Sequence, residues 1–129
     1  MAYKAIVGYV GCIDARIHNL TEEWLSKNFG SGMVDRILRA GATAYGNSVI
    51  EEVAEAHGLH HFPILVVAHH TDCGKLSSFG RDAHIEQMRA FARHIHEEIP
   101  ELVVQIVLVH TEEQYVEVIE TLFDDSEVE

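Results

Sequence analysis

Two stretches of this chain are apolar on almost every residue, and they constrain the fold more than any other feature. Ile64-Leu65-Val66-Val67-Ala68 runs without a polar side chain, and Val103-Val104-Gln105-Ile106-Val107-Leu108-Val109 is broken by a single glutamine. A strand with one face in water alternates apolar and polar residues. A short, β-branched strand that does not alternate is covered on both faces, as in a parallel sheet between helical layers. Two more such segments bring the prediction to four strands, Lys4–Gly11, Val34–Arg39, Ile64–His69 and Val103–His110.

Helical patterns fall between and after them. Thr21 is placed to cap a short helix through Trp24, Leu25 and Lys27 that Gly30 stops. Asn47 or Ser48 caps Val49–His57, with Gly58 as terminator. Asp82 caps Ala83–Glu98, whose apolar stripe is Ile85, Met88, Phe91, Ala92 and Ile95, and Pro100 follows its end. Thr111 caps a last helix, Glu112–Phe123. Strand–helix alternation implies right-handed βαβ crossovers, so the predicted fold is α/β: a single domain over residues 1–129, with a small parallel sheet of about four strands flanked by helices.

Composition narrows the functional classes. Twenty-one acidic residues against nine Lys and Arg give a formal charge of −12. That balance argues against nucleic acid or an anionic membrane as partner, because both need a basic face. Part of the excess is an acidic tail, Asp124, Asp125, Glu127 and Glu129. No apolar run approaches the roughly 20 residues that span a bilayer. The opening Met1–Val7 reads as the start of a strand rather than a signal peptide, and the expected location is cytoplasmic. Two cysteines far apart, Cys12 and Cys73, point in a reducing compartment to metal or catalysis rather than to a disulfide.

Chemistry in such sheets collects beyond the C-terminal strand ends. The first strand runs into Cys12-Ile13-Asp14-Ala15-Arg16, and the third into His69-His70-Thr71-Asp72-Cys73-Gly74. If these two strands are neighbours, Cys12, His70 and Cys73 converge over one edge. Two thiolates and an imidazole make a zinc set, and the spacing of His70 and Cys73 lets one turn present both. Gly74 is read as relieving crowding there. Three protein ligands leave one tetrahedral position open, as in catalytic zinc sites. Asp14 either fills that position or pairs with Arg16, whose planar fork suits a carboxylate. Zinc with two thiolates and a neutral imidazole carries no net formal charge, so the site acidifies water less than a three-histidine site.

Cys-x-Asp-x-Arg, followed about sixty residues later by His-x-x-Cys-Gly, resembles the β-class carbonic anhydrases, in particular their compact prokaryotic members. The resemblance spans about Lys4 to Val109. It implies Cys12, His70 and Cys73 as ligands of Zn2+, with Asp14 a fourth ligand in a closed state, and Asp14 and Arg16 as the dyad that orients the attacking hydroxide. It implies reversible hydration of carbon dioxide to bicarbonate and a proton, by a homodimer or a multiple of dimers. The same family includes hydrolases of carbonyl sulfide and carbon disulfide, and a non-catalytic structural zinc protein is the rival of a different class. Arg39-Ala40-Gly41-Ala42 stands where family members usually carry Arg-Asn-Ala-Gly, and the last edge strand common in the family has no predicted counterpart. His18, just after the dyad, reads as an exposed loop histidine before a proton relay, and His69 is expected on the opposite side of its strand from His70.

Overall fold

Val66 and Val67 are both fully buried although they point to opposite faces of one strand. That is the two-sided cover the apolar runs require. The structure is a computed structural model that describes residues 3–124. In chain order it comprises β1 (Val7–Gly11), α1 (Ala15–Phe29), β2 (Val34–Leu38), a 3-10 turn at Ala42–Tyr45, α2 (Asn47–His60), β3 (Ile64–His70), α3 (Arg81–Glu98), β4 (Val103–His110) and β5 (Tyr115–Leu122). The strands form one sheet in the order β2-β1-β3-β4-β5. The first four are parallel, and β5 runs antiparallel to β4.

Each face of the sheet has its own core. Val7, Tyr9, Val66, Ala68, Val107 and Val109 meet Ile17 and Leu25 of α1 on one side. On the other, Val10, Leu65, Val67, Val104 and Ile106 meet Val49 and Val53 of α2 and Met88, Phe91, Ala92 and Ile95 of α3. Each such aliphatic side chain contributes about 1.5–3 kcal/mol by leaving water. Packing is tight at Gly8, where a Cβ would sit 2.6 Å from the Phe62 ring.

The predicted strands and the α3 stripe are found, but several boundaries move: β1 starts at Val7 rather than Lys4, and α2 begins at Asn47 after Gly46, so neither Asn47 nor Ser48 caps it through its side chain. The helix assigned to Thr21 begins earlier: Asp14 caps α1, its side chain accepting the Arg16 N–H. Thr21 lies inside that helix, bonding back to the His18 carbonyl. His18 is therefore an exposed helical residue, not a loop residue. Gly58 does not end α2, which runs on to His60, and α3 starts at Arg81 after Gly80 rather than at an Asp82 cap.

The larger correction is at the end of the chain. Glu112–Phe123 is not a helix, and the sheet has five strands rather than four. Thr111–Gln114 turn the chain, with Gln114 at φ 59°, and β5 pairs back onto β4. Val118 faces Val107 and Glu120 faces Ile106, so Ile119 is an extra residue in the ladder. This bulge flips the alternation. Val116 packs toward α1, whereas Ile119 and Leu122 pack on the α2–α3 side. The three-residue spacing of Val116, Ile119 and Leu122 imitates a helix period, yet Val116 lies on one face of the strand and the other two on the opposite face. Of the acidic tail, only Asp124 is among the described residues.

Candidate metal centre

The chain leaves β1 through α1 to β2 on one side, then returns through α2 to β3 on the other side of β1. The C-terminal ends of β1 and β3 therefore flank the point where the winding direction reverses, and a crevice opens there in sheets of this kind. Cys12 follows β1 directly, His70 is the last residue of β3, and Cys73 lies three residues on. One sulfur or nitrogen from each of the three lies within 4.8 Å of the others. The strand-end convergence expected of Cys12, His70 and Cys73 is thus present.

The orientation of His70 follows from its far nitrogen. Its Nδ1 is 2.8 Å from the Thr71 carbonyl and 3.0 Å from Thr111 Oγ1. A carbonyl only accepts, so Nδ1 carries a hydrogen, and in the neutral ring Nε2 presents a bare lone pair. Thr111 Oγ1 itself donates to the Thr71 carbonyl, and the Thr111 N–H donates to Thr71 Oγ1 at 2.9 Å. Nε2 is buried and has no hydrogen-bond partner among the described residues. An unsatisfied buried acceptor costs about 1–3 kcal/mol, and a cation between it and the two sulfurs removes that cost. The residues present therefore fit a metal.

The two thiols differ. Burial raises Cys12, but the adjoining His70 ring and the Gly41 N–H, 3.4 Å from its sulfur, outweigh that and bring it down to about 7. Cys73 is raised, chiefly by burial. Gly41 has φ +75°, where a side chain would be strained, and a Cβ there would lie 2.7 Å from Lys75 Cγ. So Arg39-Ala40-Gly41-Ala42 keeps a glycine whose backbone serves the Cys12 sulfur. Gly74 does not relieve crowding, because a Cβ on it would meet nothing within 4 Å.

Asp14 and Arg16 form the expected pair. Arg16 Nε lies 3.0 Å from Asp14 Oδ1, and its Nη2 lies 2.7 Å from Oδ2. The Arg16 backbone N–H adds a third bond to Oδ1 at 2.9 Å. These bonds, with the Arg16 side chain first, hold the Asp14 carboxyl down to about 2. Its Oδ2 is 3.8 Å from His70 Nε2. Of the two arrangements open to Asp14, this geometry is the arginine-paired one. Arg16 also bonds Asp72, a residue to which the sequence assigned no role.

A second histidine layer lies behind the strand. His69 points away from His70, as its strand position requires. Its Nε2 is 2.8 Å from Thr43 Oγ1 and its Nδ1 is 2.9 Å from Nδ1 of His84. Burial, then the neighbouring His84 and His70, lower His69 to about 3, and burial lowers His84 as well. One hydrogen is shared between the two Nδ1 atoms, so the pair is neutral and locks the end of β3 to α3. Nothing in the spacing of His69 and His84 signals that contact.

A mostly parallel sheet carrying a Cys-His-Cys cluster and an arginine-held aspartate at its switch point defines a class: α/β proteins with a candidate metal centre at the strand ends. A family model described as "Putative carbonic anhydrase" matches residues 2–120, and the chain belongs to that family. A search of curated proteins returns no match. Among solved structures, a carbonic anhydrase from Streptococcus mutans is similar with a TM-score of 0.61 and 19% identity, over 92% of this chain and 84% of that one. A β-carbonic anhydrase, isoform I, from Trichomonas vaginalis gives 0.63 at 16% identity, over 91% and 83%. A carbon disulfide hydrolase in its apo form gives 0.59 at 11% identity, over 98% and 85%. The fold and the family resemblance expected from the motifs are borne out. Among the described residues, no helix is long and apolar enough to cross a membrane.

Proposed function

We propose that this chain is a zinc enzyme that hydrates carbon dioxide reversibly to bicarbonate and a proton. The observation that carries the reading is the bare Nε2 of His70, converging with two sulfurs beside an ionised carboxylate that Arg16 holds 3.8 Å away. Membership of the carbonic anhydrase family supports it. Two thiolates and an imidazole favour zinc over harder divalent ions. Both cysteines are free, which suits a reducing, cytoplasmic setting.

Cys12, His70 and Cys73 would hold the ion. When bound, zinc supplies Lewis acidity that makes a water nucleophilic at moderate pH. Asp14 stays ionised throughout that range and accepts the O–H of the attacking water, turning a lone pair toward carbon. Arg16 engages both Asp14 oxygens, which orients the carboxylate as a hydrogen-bond acceptor. The addition forms one C–O bond, shifts one C=O pair onto oxygen and releases one proton to solvent: CO2 + H2O gives HCO3− + H+. The resemblance further suggests a dimer or a multiple of dimers.

The second reading, hydrolysis of carbonyl sulfide or carbon disulfide, uses the same ligands and has a fold relative among carbon disulfide hydrolases. Turnover of the zinc-loaded protein on each gas separates the two. Asp14→Ala is expected to retain zinc and lose most turnover on the true substrate. Unchanged turnover would remove Asp14 from the mechanism. An Asp14 oxygen found on zinc at alkaline pH, with no exchangeable water, would favour the structural zinc protein.

A further inference from the structure

The Arg16 guanidinium is divided between two segments of the chain. Toward α1 it holds Asp14, through Nε to Oδ1 at 3.0 Å and Nη2 to Oδ2 at 2.7 Å. Toward the loop after β3 it holds Asp72, through Nη1 to Oδ2 at 2.8 Å and Nη2 to the main-chain carbonyl at 2.8 Å. Asp72 lies between His70 and Cys73 with φ 58°, in the left-handed region. Both its carbonyl and its carboxylate reach Arg16 in that conformation. Aspartate, asparagine and glycine tolerate this backbone state better than other residues.

An arginine anchored on one carboxylate follows that carboxylate when it rotates. An arginine also anchored on a separate loop does not, because its rigid planar fork is fixed at both ends. Asp14 Oδ2 lies 3.8 Å from His70 Nε2, a candidate ligand atom. We propose that Asp72 is a positioning residue: it anchors the far side of Arg16, and thereby holds Asp14 as a hydrogen-bond acceptor instead of a ligand. The consequence for turnover rests on the proposed function, whereas the anchoring is a property of the chain with or without metal. Asp72 thus links the segment carrying two of the candidate ligands to the dyad on α1. Its side chain is 70% exposed and that of Arg16 50%, so solvent weakens the pair and the expected effect is graded.

The test compares wild type with Asp72→Gly and Asp72→Asn. Glycine keeps the left-handed backbone and removes only the acceptor. Asparagine keeps both the backbone and a carbonyl acceptor for Nη1. The readout is exchange with water of the Arg16 Nε–H, resolved by nitrogen-15 NMR in metal-free protein, because that hydrogen is donated to Asp14. Exchange is expected to be about two- to fivefold faster in Asp72→Gly, the range of an exposed ion pair, and close to wild type in Asp72→Asn. In zinc-loaded protein, kcat for carbon dioxide hydration falls by a similar factor in Asp72→Gly with KM unchanged, and Asp72→Asn restores it. Equal exchange in wild type and Asp72→Gly overturns the proposal. Absence of hydration by the wild type would instead remove the proposed function, and the metal-free exchange comparison would still decide the role of Asp72.

Discussion

Thr111→Val removes one hydroxyl from the back of the metal centre and nearly nothing else. Thr111 is 5% exposed, and valine keeps its shape and β-branching. Two hydrogen bonds change: the 3.0 Å contact to His70 Nδ1 and the bond donated to the Thr71 carbonyl. That carbonyl keeps its 2.8 Å bond from His70 Nδ1, so no acceptor is orphaned. One to two net hydrogen bonds at about 0.5–1.5 kcal/mol each predict a stability loss of about 0.5–3 kcal/mol in the metal-free protein. With one anchor gone, the imidazole ring rocks, and partners of this kind are worth about 10–100-fold in metal affinity. Zinc affinity is read by competition with a calibrated chelator, and stability by urea unfolding of the metal-free protein. An unchanged zinc affinity, with the stability loss present, would refute the claim that the Thr71–Thr111 network aims His70 Nε2.

Three further outcomes follow from other parts of the fold. Gly41→Ala places a side chain at φ +75°, which costs about 1–2 kcal/mol. It is expected to lower Tm by several degrees and to raise the pH at which Cys12 alkylates in metal-free protein; no change in either would refute the role given to the Gly41 N–H. Gly8→Ala drives a Cβ to 2.6 Å from the Phe62 ring, so overpacking of about 1–3 kcal/mol should appear in thermal unfolding. Glu117 is held down to about 2, first by Arg81 and then by His110. A depressed carboxylate stabilises the fold above its ordinary pKa near 4.5 and loses that contribution as pH falls toward 2. Glu117→Gln should therefore flatten the acid limb of stability against pH below about 4.5, by about 1 kcal/mol at most for a pair this exposed.

What the sequence revealed and what it hid divide along a physical line. The two-sided strands β3 and β4 were legible because burial on both faces writes itself into consecutive residues. The three candidate ligands were legible because Cys12 and His70 sit at strand ends and Cys73 three residues beyond one, where chain direction brings them together. β5 was not, because the bulge at Ile119 breaks the two-residue period that marks a strand. The start of α1 was misplaced for a different reason. Asp14 was already assigned a role in the site, yet the same carboxylate caps the helix. Asp72, Thr111, Gly41 and His84 act through partners 15 to 56 residues away in sequence, and no local pattern records such contacts. Arg39-Ala40-Gly41 gave a partial signal, since a glycine at a strand-to-helix turn often marks a backbone that must come close to something.

The most direct test of the account is stopped-flow carbon dioxide hydration by protein of measured zinc content, from neutral to alkaline pH, with Cys73→Ser alongside. The account predicts one zinc per chain, turnover that rises with pH, and loss of both metal and turnover in Cys73→Ser. Full zinc occupancy in Cys73→Ser would contradict the ligand assignment. No turnover by fully loaded wild type would contradict the proposed reaction.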